Sequence, residues 1–100
     1  MKTNDIIMCK MISGEEVIGK LKSEGQAGDI KTVKISDPCV VIVEGIDPNT
    51  NGISVKLMPY SITDPDGDIE LLFSAMAIVP KLATESMTKL FVRSTSNIVI

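Results

Sequence analysis

Few side chains in this 100-residue sequence have the type and spacing that chemistry needs. Asp64, Asp66, Asp68 and Glu70 alternate as calcium ligands do, but Gly67 falls at the fourth position of that loop instead of the sixth. Pro65 also interrupts it, so a solvated hairpin tip is expected there. Glu15 and Glu16 are adjacent at a turn, with no second acid placed to share a proton. Serine and threonine are plentiful, yet the sequence has no histidine, which excludes His-based triads, imidazole shuttles and His-ligated metals. Gly14, Gly19, Gly25 and Gly28 fit neither a P-loop nor a dinucleotide fingerprint, and no helix is expected to begin after them. Cys9 and Cys39 lack CxxC spacing and sit in apolar, alternating segments, the setting of buried free thiols. These patterns predict neither catalysis, a cofactor nor a metal.

Composition narrows the remaining classes. One hundred residues make one domain. An apolar fraction of 44% and a charged fraction of 23% are those of a globular chain with one modest core. Ten basic against thirteen acidic residues give a net charge of −3, which excludes a polycation that clamps duplex DNA over its whole surface. The opening Met1-Lys2-Thr3-Asn4-Asp5 has no signal-like apolar stretch, and the run Ala75 to Pro80 is far shorter than the ~20 residues of a spanning helix. A reducing, cytoplasmic setting is therefore expected, with no membrane partner and no small-molecule substrate.

The positioning elements read as strands. Valine, isoleucine and threonine contribute 30 residues, all β-branched. Asp5 to Ser13 alternates Ile6, Met8 and Ile12 against Ile7, Cys9 and Met11, and Ser13-Gly14 turns it into a second strand, Glu15 to Lys22. Ser23 to Asp29 is polar and predicts a loop. Strand pattern resumes over Ile30 to Ser36 and, past Asp37-Pro38, over Cys39 to Glu44. Turn signals at 47–52 and 63–68 bracket Ile53 to Tyr60, and Ile69 to Val79 reads as one last strand ended by Pro80. Only the tail has helical period: Ala83, Met87, Leu90 and Phe91 share a face, with Thr84 as N-cap and 94–97 closing. Asn97 to Ile100 could pair as a short strand. The expected fold is mainly β: a small, strongly bent, five-stranded open β-barrel over about residues 5–80, with a short C-terminal helix and tail over about 82–100, all one domain.

The segment Met11 to Leu21 (MISGEEVIGKL) resembles the opening of the first motif of the Sm-like family, in which an apolar strand turns at a glycine and returns as hydrophobic–x–Gly–x–hydrophobic. The strand order through residues 5–80 is similar too. Lys56-Leu57-Met58-Pro59-Tyr60 and the tail after Pro80 look like the Sm-like proteins of tailed marine phages. This resemblance implies a homo-oligomeric ring. It carries over no RNA contacts: the family's Asp and Asn before the third strand and its Arg-Gly pair have no counterparts, and no N-terminal helix is expected.

Self-association also has a reason in the residues. Leu71, Leu72, Phe73 and Ala75 to Val79 are apolar on both faces, and an open barrel leaves two unpaired edges. The expected ring contact pairs 53–60 with 69–79 of a neighbour, through Val55, Leu57, Leu71 and Phe73. Two functions follow. One is a non-enzymatic ring with a structural or assembly role, of phage origin and with a phage or host protein as partner. The other is a ring that binds RNA or single-stranded nucleic acid, with Lys20, Lys22, Lys31 and Lys34 on the phosphates and Tyr60, Phe73 or Phe91 stacking on bases.

Overall fold

The computed structural model describes residues 1–61, 63–64 and 67–96. Its strands are β1 (Ile6–Met11), β2 (Glu16–Ala27), β3 (Ile30–Ile46), β4 (Ile53–Pro59), β5 (Ile69–Leu72) and β6 (Met76–Leu82), followed by one helix, α1 (Glu85–Ser96). Antiparallel pairing runs β4-β3-β2-β1-β6, with β5 added on β3. This is the expected mainly β architecture: a strongly curled, open half-barrel with a short C-terminal helix. The expected pairing of 97–100 lies outside the described residues.

Alternation explains why the first two strands hold together. Ile7, Cys9 and Met11 point to one face of β1 and join Val17 and Leu21 of β2, Val33 and Ile35 of β3, Leu71 of β5 and Met76 of β6 in the larger apolar cluster. The opposite face carries Ile6, Met8, Ile18, Cys39, Val41 and Leu57, which pack against Met87 and Phe91 of α1 and against Ala83 just before it. Phe91 is only 1% exposed, so it anchors the helix on the sheet. Thr84 caps α1 as expected: its Oγ1 accepts the Met87 N–H at 3.3 Å, and its carbonyl accepts the Thr88 N–H at 2.8 Å.

Three sequence expectations are corrected. Ser23 to Asp29 is not a loop. β2 and β3 stay paired out to Ala27 and Ile30, and the chain reverses over Gly28-Asp29 alone. Gly28 has φ +64°, which is why so short a turn can close the ladder despite its polar composition. Next, 69–79 is not one strand. A 3-10 turn at Phe73–Ala75 divides it, sending β5 to β3 and β6 to β1. Pro80 also does not end the strand, because it lies in a bulge between Ile78 and Lys81 where no ladder N–H is required.

β3 changes partners along its length, meeting β5 over 32–35 and β4 over 39–46 while β2 lines its other edge. The change occurs at one extra residue between Ser36 and Cys39, where Asp37 takes φ +51°. That residue reverses the parity: Val33 and Ile35 face the larger cluster, whereas Cys39 and Val41 face α1. Gly19 of β2 lies beneath this bend. A Cβ there would stand 2.9 Å from Ile35 Cδ1 and 3.2 Å from the Ser36 carbonyl oxygen.

Gly19→Val should therefore cost about 1–3 kcal/mol by overpacking against β3. Gly45→Ala, where a Cβ meets nothing within 4 Å, should leave stability unchanged or slightly raised. Urea unfolding followed by far-UV circular dichroism measures both, and equal losses would refute the close approach.

Candidate functional site

The strands that end the sheet path are β4 and β6, and among the described residues nothing pairs with their outer edges. Hydrogen bonds fix which groups of β4 are exposed. The Tyr60 N–H donates to the Pro38 carbonyl at 2.8 Å, so Met58 and Lys56, two and four residues back, also direct their backbone groups at β3. Leu57 and Val55 direct theirs to the open edge. Pro59 shares that side, and Pro80 stands in the β6 bulge. Each edge thus has a proline without an N–H, which shortens any ladder a second chain could build.

The expected interface residues divide between edge and core. Val55 and Leu57 lie on open β4, Val55 half-buried and Leu57 packed under α1. Leu71 is buried in the larger cluster, and the half-buried Phe73 packs against it. The split of 69–79 is the reason, because β5 is tucked beside β3 with Leu72 its only exposed apolar residue, and the more exposed apolar residues fall on β6. Ile78, Val79 and Leu82 are the outward-facing ones there.

A groove of about 320 Å³ runs between these edges on the α1 side of the sheet. Met8, Val41, Val55, Ile78 and Met87 wall it, and Lys10, Lys81 and Glu16 stand around it. Lys10 lies directly opposite Glu16 across the β1–β2 ladder. Beyond the groove, β3 and β4 continue as a two-stranded arm past the last β2 pairing at Val40. On the arm, Val43 opposes Val55 and Ile46 opposes Ile53, and the bulge at Glu44 keeps all four on one face. Val43, Ile46 and Ile53 are 62%, 67% and 64% exposed. Sequence reading passed over this strip because its residues look like any half-buried strand; only the ladder places them beyond the sheet.

The lysines do not converge. Lys34 pairs across from Ser23 and Lys20 from Ser36, on one face, whereas Lys31 pairs with Gln26 on the opposite face and Lys22 is the extra residue of a bulge. Glu70 lies across the ladder from Lys34. Of the three aromatic rings, Phe91 is buried, Phe73 packs on the core and only Tyr60 is exposed. Ser86 and Lys89 have Ser-x-x-Lys spacing on α1, but both are exposed and Lys89 pairs with Glu85 at 3.2 Å. Among the described residues no group of three His, Cys, Asp or Glu is placed to hold a metal ion. No helix there is long and apolar enough to cross a membrane.

Both cysteines are free and buried on opposite faces of the sheet. Burial pushes the Cys9 thiol up to about 11. Burial, followed by the nearby Asp37 carboxylate, pushes Cys39 up to about 11 as well. Cys39 Sγ donates to the Asp37 carbonyl at 3.4 Å. Thiols held in this form are poor nucleophiles and structural in role.

No protein-family model matches the chain, and no curated protein matches it significantly.

The thiols generate a pH prediction. The unfolded chain releases both protons above its ordinary thiol value of 9.0, while the fold retains them to about 11. Their contribution to stability should be full below pH 9 and decline as pH rises from 9 toward 11. Chemical denaturation across that range should show the decline, and a Cys9→Ala/Cys39→Ala variant should show a shallower one. Both thiols should resist a thiol reagent in the native state and react fully in denaturant.

Proposed function

We propose that this chain is a non-enzymatic subunit of a closed homo-oligomeric ring, Sm-like in organisation, with a structural or assembly role such as a phage particle requires. The observation that carries this reading is the pair of open edges at the two ends of one curled sheet, β4 with outward backbone groups at Val55 and Leu57 and β6 with exposed Ile78, Val79 and Leu82. The two edges differ, so pairing β4 of one copy with β6 of the next is heterologous and propagates around an axis until it closes. The curl favours closure over an extended fibre, because each added copy turns the direction of the next. The resemblance of Met11 to Leu21 to the first Sm-like motif supports the same assembly.

Nucleic-acid binding by the ring has weaker support. Lys20, Lys22, Lys31 and Lys34 are spread over two faces of the β2–β3 hairpin, and one exposed aromatic ring offers little stacking.

Light scattering coupled to size exclusion at micromolar protein should give a discrete multiple of 10.8 kDa. A mass of one chain would defeat the ring. Val55→Pro removes an outward donor and leaves the β3 ladder intact, so it should shift the protein to single chains with its circular dichroism preserved. Leu57→Pro is a poorer test, because Leu57 also packs beneath α1. Lys22→Glu, on an exposed bulge, should leave the mass unchanged.

A further inference from the structure

Two apolar features on the α1 side of the sheet have no partner within the chain. One is the strip on the β3–β4 arm, where Val43, Ile46 and Ile53 are each more than 60% exposed on a single face. A two-stranded arm is marginal alone in water, and its apolar side chains make it more so. The other is the groove at the arm's base, about 320 Å³, walled by Met8, Val41, Val55, Ile78 and Met87. The arm cannot fill its own groove, because Val41 and Val55 of its base are already part of the wall.

The charges around the two features are complementary. Glu44 and Asp47, both exposed, are the only ionisable residues of the arm from Val43 to Val55. Lys10 and Lys81 stand at the groove with Glu16 across the ladder from Lys10, which leaves the rim net positive, and Lys81 has no ion pair among the described residues. Packing one arm on another would set Glu44 and Asp47 against their own copies. Packing an arm into a groove sets them against a net positive rim in which Lys81 is the unpaired charge, which favours the heterologous contact.

We propose that the groove beside β6 is the socket for the β3–β4 arm of a second copy of this chain, with Ile46 and Ile53 seated between Ile78 and Met87 and with Glu44 and Asp47 against Lys10 and Lys81. The inference rests on the ring reading and deepens it, since β6 both offers the open edge and walls the socket. It also supplies what the shortened ladder lacks: Pro59 and Pro80 limit backbone pairing, so side-chain burial holds the copies together.

Charge reversal tests the contact separately from the ring. Glu44→Lys and Lys81→Glu are exposed substitutions, and circular dichroism confirms that each variant folds. Each alone should weaken association, measured by sedimentation equilibrium, by about tenfold or more. The Glu44→Lys/Lys81→Glu double variant should recover most of that loss, because the pair meets again with its signs exchanged. Ile53→Asp should weaken association without recovery by either lysine change. A discrete oligomer that persists unchanged in Lys81→Glu and Ile53→Asp would overturn the socket and leave the ring standing. Losses that merely add in the double variant would overturn it as well. A single chain from the unmodified protein would remove the ring and the socket together.

Discussion

Every cluster in the molecule depends on β3 being able to serve three partner strands. Its seventeen residues pair with β2 along one edge as far as Val40 and with β5 and then β4 along the other, so the strand must bend without losing its hydrogen bonds. The extra residue at Asp37-Pro38 meets that constraint. A proline could not donate within an unbroken ladder, and at a bulge it need not. Pro38 is fully buried, and its carbonyl still accepts the Tyr60 N–H. The inserted residue bends the sheet and reverses the parity, so one strand has apolar side chains on both sides of the barrel wall. Without the reversal, Cys39 and Val41 would point away from α1, and Val40 and Ile42 would take their place on that side.

The bend imposes a second requirement, at Gly19. The backbone of β2 passes so close to Ile35 that a Cβ would force that side chain to shift, within the cluster that Val17, Leu21, Val33 and Ile35 share. The curl then leaves β4 and β6 as unlike ends of one sheet, with a groove between them. Closing the barrel within the chain would need another strand across that gap.

The same geometry separates the chemistry of the two faces. The thiols are enclosed, one in each cluster, and the lysines are scattered by alternation and bulges along the β2–β3 hairpin. The concentrated apolar surface lies at β6 and on the β3–β4 arm. Recognition of a polyanion needs positive charge gathered on one face, and the hairpin lysines are divided between two.

Local pattern in the sequence determined a good deal. The period-two alternation of Ile6 to Met11 and of Val17 to Leu21, the β-branched content, the turn at 47–52 and the capped helix with Thr84, Met87 and Phe91 on one side are all legible, because each depends on neighbours within a few residues. The misreadings are equally local in origin: 23–27 have a loop's composition yet are strand, since ladder bonds to 30–34 outweigh propensity. Phe73–Ala75 breaks an apolar run that looks continuous, since Leu71 and Met76 must reach different partner strands. Tertiary structure alone decided which apolar residues are core and which are surface. Leu71 and Ile78 look alike in sequence, and one is buried while the other lines an open groove. The reason is that burial on a curled sheet is set by register between strands distant in the chain, and a single bulge moves a side chain from one face to the other.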